Sequence, residues 1–159
     1  MPEVLDELVI NPVTGAASLA AGDSLGGLNS MPKTARYADG HALIFCVTVT
    51  DRSKAILAAP FIDLLFFEEA PGVGTIITDS SPLDVHDDDI HKMNGSIRVY
   101  DSEWLDLVSS AEATHFVEGD GLLISCEGTT TSKVAIRLGG AIASPPNGSV
   151  QVRFGVKEA

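Results

Sequence analysis

Alternation of apolar and polar residues is the feature that most constrains how this chain can fold. It is clearest in SVQVRFGVKE (149–158), where Val150, Val152, Phe154 and Val156 occupy alternate positions between polar residues or glycine. Side chains two residues apart in a β-strand point to the same face of a sheet. The run therefore predicts a strand with one face turned to a core.

Further runs carry the same signature. They are rich in β-branched and aromatic residues and are separated by Gly, Pro, Asn and Asp turn signals. These runs are 42–51, 61–69, 74–79, 96–101, 113–119, 122–128 and 133–143. Short strands at this spacing predict an all-β fold, namely an antiparallel β-sandwich or jelly-roll-like domain.

Helical patterns are confined to two stretches, 82–93 and 102–113, each of which has the pattern of a short helix. In the second, Trp104, Leu107 and Val108 share a helical face, and Ser102 is a suitable N-cap. Long amphipathic helices that would cover a parallel sheet are missing from the pattern, which disfavours an α/β fold.

The first 36 residues read differently. They are rich in Gly, Ala, Ser and Pro and show no sustained period, although Leu19, Leu25 and Leu28 supply apolar anchors. This composition predicts an extended N-terminal arm (1–36) that lies along its own domain or a neighbouring subunit. The β-sandwich domain is then expected over 37–159.

The charge balance narrows the classes of partner. The chain has 22 acidic and 10 basic residues, a net charge of −12, which repels the phosphate backbone of nucleic acids. No apolar run reaches the roughly 18–20 residues of a membrane span, and the first residues are acidic where a signal peptide is basic. We expect no nucleic-acid partner, no membrane partner and no secretion.

An acid-rich segment, SPLDVHDDDIHKMNG (81–95), raises the question of a metal site. Its spacing fits neither a zinc-binding helix nor a calcium loop. The pattern favours an acidic turn in which Asp84 and Asp87 lie near the start of a short helix. The acids would face water while Ile90 and Met93 face the core. No metal ligand is assigned, and an adventitious cation there is left open.

No catalytic motif is present. Glu68 and Glu69 are adjacent and would point to opposite faces of a strand, so they do not form an acid–base pair. Ser125, His115 and Asp120 have the residue types of a hydrolase triad, but no local signature brings them together. The sequence predicts neither an enzyme nor a cofactor.

The two cysteines, Cys46 and Cys126, each lie in an apolar run and lack a CxxC partner. This placement indicates small buried apolar residues rather than a zinc or redox motif. A disulfide between them remains open.

Several segments, taken in order, resemble a family of small virion proteins of tailed bacteriophages. They include GDSLGGL, a turn at DRSK, the strand IDLLFF, TIITD, the acidic LDVHDDDIHK and the closing strand SVQVRFGV. In this sequence they are residues 22–28, 51–54, 62–67, 75–79, 83–92 and 149–156. The chain departs from the family pattern at His86 and His91, so the resemblance implies that the nearby aspartates are structural.

The resemblance implies a structural protein of the virion and, within that class, favours a capsid decoration (cement) protein. Its partner would be the major capsid protein, bound as a homotrimer on the outer capsid surface after synthesis in the host cytoplasm. The partner contacts would lie in the arm, which deletion of residues 1–36 would remove while leaving the domain folded. The expected contact residues are Leu19, Leu25, Leu28, Met31, Lys33 and Arg36.

Two alternatives stay open. One is a tail, neck or head-fibre component of the same kind of particle. The other is a carbohydrate-binding β-sandwich module, which needs an exposed aromatic platform. The Trp and Tyr residues available for such a platform are Trp104, Tyr37 and Tyr100.

Overall fold

A computed structural model describes residues 5–15, 18–72 and 74–158, without the side chains of residues 5, 6 and 158. The strands of these ranges are β1 (Leu5–Ile10), β2 (Ser24–Met31), β3 (His41–Asp51), β4 (Phe61–Phe67), β5 (Met93–Tyr100), β6 (Trp104–Asp106), β7 (Ala111–Phe116), β8 (Leu122–Ser125), β9 (Ser132–Leu138) and β10 (Val150–Glu158). Short 3-10 turns supply the helical residues of the same ranges, and none of them has the length or hydropathy of a membrane span.

The strands form two antiparallel sheets. The six-stranded sheet has the order β1-β10-β3-β7-β6, with β8 also paired to β3, and the four-stranded sheet has the order β2-β9-β4-β5. The pairs β1·β10, β2·β9 and β3·β7 join early strands to late ones, and the pair of consecutive strands β4·β5 closes the series. Successive pairs alternate between the two sheets. This folded-over ribbon is a jelly-roll topology. The predicted all-β antiparallel sandwich is confirmed.

The core lies between the inner faces of the two sheets. Phe66 of β4 meets Phe154 of β10 edge to face, with ring centroids 5.7 Å apart and an interplanar angle of 75°. The predicted alternation of β10 is confirmed, because Val150, Val152 and Phe154 are all buried. Each side chain of this kind contributes about 1.5–3 kcal/mol when it is fully buried.

The sequence prediction fails at two places between the strands. The run 74–79 forms isolated bridges at Ile76 and Asp79 instead of a strand. The proposed helix 102–113 is wrong, because its residues form β6, a turn and β7, whose backbone groups pair with each other. Ser102 lies inside a short 3-10 turn and caps nothing, and Val108 is fully exposed in the loop.

The first 36 residues are built into both sheets. Strand β1 is an edge of the six-stranded sheet and β2 is an edge of the four-stranded sheet, so the described part of this segment lies along its own domain, as strands of the packed layers. Residues 1–4 and 16–17 of this segment lie outside the described residues. A domain boundary at residue 36 stays a prediction, but a deletion ending there would remove one edge strand from each sheet.

A bulge explains why β2 was missed. The register with β9 shifts between Ser24 and Leu28, where Gly26 and Gly27 have φ of 75° and 65°. A Cβ at Gly26 would lie 2.5 Å from the Cβ of Pro12. Glycine is required by this left-handed backbone and by this close approach, and it erases the alternation that marks a strand.

Candidate interaction surface

Three of the expected partner-binding residues lie in the core. Leu19 is 2% exposed, and Leu25 and Met31 are 0% exposed. A side chain packed inside its own domain cannot contact a partner at the same time. The partner-binding role of these three residues is therefore corrected to a structural one. Leu28, on the same strand as Leu25, is half-buried.

The two basic residues of the expected set are placed differently. Lys33 and Arg36 are exposed on the loop 32–40, which joins β2 to β3. Lys33 has a φ of 60°, within the left-handed region of a turn. Because the loop runs directly into β3, these side chains lie at the end of the sandwich where β3 begins. Their role in partner binding stays a prediction.

An exposed apolar surface lies on the outer face of the six-stranded sheet, close to that end. Phe116 is 72% exposed and Leu123 is 51% exposed. Phe116 of β7 pairs with Cys46 of β3. Leu123 of β8 pairs with Leu43 of the same strand β3. Opposed residues in a ladder point to the same face, so these side chains share one surface.

Phe45 completes this surface. A Cβ at Gly155 would lie 2.8 Å from the Phe45 ring and 2.6 Å from Cys46 Sγ, so the ring covers the glycine of the neighbouring strand. A cleft of about 500 Å³, which Asp120 and Lys157 border, opens beside the ring. The apolar patch is defined here as Leu43, Phe45, Cys46, Phe116 and Leu123.

Sequence reasoning missed the patch, although its signal was present. Ala111 and Ala113 are buried, and the period of two then sends Glu112, Thr114 and Phe116 to the outer face. A large aromatic residue in register with two polar ones indicates an exposed apolar position. The strand prediction for this run gives its period but does not by itself show which face is left uncovered.

The two cysteines are free. Cys46 is half-buried within the apolar patch, whereas Cys126 is 1% exposed. Burial raises the pKa of the Cys126 thiol, with partial compensation from hydrogen bonds to Thr34 and Ala35. The prediction of a buried apolar cysteine holds for Cys126 and only in part for Cys46.

The acid-rich segment forms a 3-10 helix over Asp87–Lys92. His86 caps it, since its Nδ1 accepts a hydrogen bond of 3.2 Å from the Asp88 backbone N–H. Ile90 is 60% exposed, so the prediction that it faces the core is wrong. Asp89 is the residue that turns inward, with 4% exposure, which also corrects the picture of a fully solvated acidic turn.

Asp89 anchors the preceding loop. Its Oδ2 accepts hydrogen bonds of 2.9 Å from the Gly72 N–H and 2.6 Å from the Thr75 hydroxyl. These bonds, with Lys92 at 3.2 Å, lower the pKa of Asp89 from 3.8 to about 2 despite the opposing effect of burial. Lys92 also binds Glu69 at 2.8 Å. Within the described residues, no group of three or more His, Cys, Asp or Glu side chains is arranged to hold a metal ion.

Two residues of the rejected triad, Ser125 and His115, have other partners. The Ser125 hydroxyl donates to Asn94 Oδ1 at 2.8 Å and lies 3.1 Å from Glu68 Oε2. His115 Nδ1 lies 2.7 Å from Glu103 Oε1. The first network joins β8 to β5 and to the residue after β4, and the second joins β7 to the 3-10 turn before β6. Both give these polar side chains a structural role.

The aromatic residues considered for sugar binding do not form one platform. Tyr100 lies opposite Phe61, at the start of β4. Tyr37 follows β2, whose last residue, Met31, pairs with the start of β9 at the other end of the same sheet. Trp104 is half-buried against the core. The three rings are therefore separated by the length of a strand or by burial.

No protein-family model and no curated protein matches this chain. Among solved structures, a chain of sacbrood virus of honeybee is similar at 7% identity and a TM-score of 0.34, over 97% of this chain and 78% of that one. A chain of Israeli acute paralysis virus has 15% identity and a TM-score of 0.28, over 98% and 70%. One of Desmodium yellow mottle tymovirus has 7% identity and a TM-score of 0.28, over 99% and 82%. At these values no function is carried over.

Proposed function

We propose that this chain is a structural protein of a tailed-bacteriophage virion that decorates the capsid, and that the apolar patch is the surface by which it binds the major capsid protein. The observation that carries the proposal is the exposure of Phe116 and Leu123 beside Phe45. Contiguous apolar surface of this kind on a soluble domain marks a protein-binding site, and aromatic residues are enriched in such sites.

The surroundings of the patch suit a protein interface. Asp120 and Lys157 border its cleft, while Lys33 and Arg36 lie on the loop that enters β3. Polar side chains around an apolar centre are the usual arrangement of a stable interface. A stable contact of standard size buries about 800 Å² on each partner, which needs this rim in addition to the patch.

The sequence resemblance to small tailed-phage virion proteins supports the location. A net charge of −12 suits a protein on the outer capsid surface, because it limits association between particles and contact with the genome. Binding as a homotrimer at threefold positions of the shell would present three copies of the patch to three equivalent partners.

Co-sedimentation with shells that lack the protein tests the proposal. Wild-type protein is expected to saturate the shells at a copy number that matches their threefold positions. The double variant Phe116→Ser/Leu123→Ser should lose binding while staying folded. Val108→Ser is the matched control, because Val108 is fully exposed in the loop between β6 and β7, away from the patch.

Two results would contradict the proposal. A double variant that saturates shells as the wild type does would remove the patch from the interface. Wild-type protein that ignores shells and binds purified tails or necks would keep a virion role and reject decoration.

A further inference from the structure

A second concave surface lies on the other sheet. It is a cleft of about 520 Å³ on the outer face of the four-stranded sheet. Its floor comes from β4, β5 and β9, and the segment with Leu83 and Val85 forms one wall. This cleft is separated from the apolar patch by the whole thickness of the sandwich.

The centre of the cleft carries an excess of positive charge. Asp63 accepts two hydrogen bonds from Arg98, at 2.6 and 2.9 Å, and a third from Arg137 at 3.1 Å. Asp63 is the one carboxylate among the residues that line the cleft. Two guanidinium groups on one carboxylate leave one positive charge uncompensated, in a chain whose net charge is −12.

The guanidinium groups are held in place before any ligand arrives. Arg98 lies over the Phe61 ring, 3.8 Å from its centroid, and Asp63 raises the pKa of Arg98 by hydrogen bonding and by charge. The side chains of Arg98 and Arg137 remain 43% and 39% exposed. A guanidinium has five N–H donors, so both groups keep donors directed away from Asp63.

The remaining lining selects the body of a ligand. Leu65, Leu83, Val85 and Met93 form apolar walls next to the two arginines. Tyr100 is the one aromatic side chain of the lining. A sugar ring binds by stacking on aromatic faces, so this lining disfavours a sugar ligand. Aliphatic walls beside paired guanidinium groups match a peptide that carries an acidic residue next to apolar ones.

We propose that this cleft binds an acidic peptide segment of a partner protein, with one Asp or Glu carboxylate on the donors of Arg98 and Arg137 that point away from Asp63 and a neighbouring apolar side chain against Leu83 and Val85. The basis is charge complementarity: the site is positive within an acidic molecule. The cleft lies on the sheet opposite the apolar patch, so the inference goes beyond capsid decoration and holds whether or not the patch binds a shell.

NMR titration of the full ¹⁵N-labelled chain tests the inference. The probes are an N-acetylated Leu-Glu-Leu amide, the matched Leu-Gln-Leu amide, and glucuronate. Saturable shifts at the amides of Ser96, Arg98 and Arg137 are expected with the Glu peptide. Replacing the carboxylate by an amide should weaken binding at least about tenfold, since charge-assisted hydrogen bonds to guanidinium are lost.

A pair of variants separates binding from structure. Arg137→Gln removes one guanidinium and leaves the paired bonds between Arg98 and Asp63, so the Glu peptide should bind at least about tenfold more weakly to a folded protein. Arg153→Gln, on the six-stranded sheet beside Glu112, should leave peptide binding unchanged. Equal binding of the Glu and Gln peptides, tighter binding of glucuronate, or no saturable shift would overturn the inference.

Discussion

Two groups of apolar side chains in this molecule contradict the expectation raised by their sequence context. Leu25 and Met31 come from a segment rich in glycine and serine, yet both are 0% exposed. Phe116 and Leu123 come from runs with strand character, yet they are 72% and 51% exposed. The difference shows that an apolar residue is buried by what faces it across the sandwich rather than by the composition around it.

The physical reason lies in the topology. Strand β2 is an edge of the four-stranded sheet, and its inward side chains are covered by the opposite sheet. Phe116 lies at the end of β7 and Leu123 lies near the start of β8. Both side chains point to the outer face of the six-stranded sheet, where no element of the described chain covers them. The first group therefore supports stability, and the second is available for association.

Changes in the buried part of the N-terminal segment should give the largest effects. Leu25→Ala removes a fully buried side chain from the core, and the free energy of unfolding is expected to fall by about 2–5 kcal/mol. Deletion of residues 1–36 should prevent folding, because each sheet loses an edge strand. Urea denaturation followed by tryptophan fluorescence measures both, with Trp104 as the reporter.

The matched control is Val13→Ala in the same segment. Val13 is 66% exposed, so its truncation should change the free energy of unfolding by about 0.5 kcal/mol or less. Equal effects of the two substitutions, or a folded deletion variant, would break the comparison by showing that the N-terminal segment is not part of the core.

Substitution in the apolar patch should affect stability much less. Phe116→Ser is expected to lower the free energy of unfolding by at most about 1 kcal/mol, since the ring is mostly in water and only the strand preference is lost. The same denaturation experiment checks this value. A loss as large as that of Leu25→Ala would mean that Phe116 belongs to the core.

Asp89 predicts a smaller effect that depends on pH. Its pKa in the folded protein, about 2, is below its ordinary value of 3.8, so the unfolded chain takes up the proton first as the pH falls. The carboxylate therefore stabilises the fold fully above about pH 4, and this contribution is lost as the pH falls towards about 2. Asp89→Asn should unfold at a lower temperature at neutral pH, with the difference narrowing across that window.

Asp87→Asn is the control for the substitution itself, because Asp87 lies exposed in the same turn. At neutral pH its melting temperature should stay close to that of the wild type, since an exposed substitution costs little stability. A constant difference between Asp89→Asn and wild type from neutral pH to pH 2 would show that the effect comes from the shape of the amide and not from the charge of the carboxylate.

Much of the fold could be predicted from the sequence, for a physical reason. Strands such as β3, β9 and β10 face a core on one side, and a period of two records that directly. Strand β2 could not be predicted this way, because its glycines at the bulge remove side chains from the pattern. The sequence predicts a helix in place of β6, because the spacing of Trp104, Leu107 and Val108 also fits a helical face.

The binding surfaces were harder to predict than the fold. The apolar patch joins residues from β3, β7 and β8, and the arginine cleft joins Asp63, Arg98 and Arg137 from three strands. Nothing local to any one segment announces these neighbours, since the register between distant strands creates them. The sequence predicts a short helix in the acid-rich segment, and a 3-10 helix over Asp87–Lys92 is present, but the pattern does not show that Asp89 is the member that turns inward.

Alkylation of Cys46 tests most directly the claim that the apolar patch is the binding surface for the shell. The reaction rate with a maleimide is measured by peptide mass spectrometry for the free protein and for the shell-bound protein, with buried Cys126 as the internal reference. We predict that binding slows the reaction of Cys46 several-fold, because the partner covers the patch. Protein that is fully bound to shells and still reacts at Cys46 at the free rate would contradict the account.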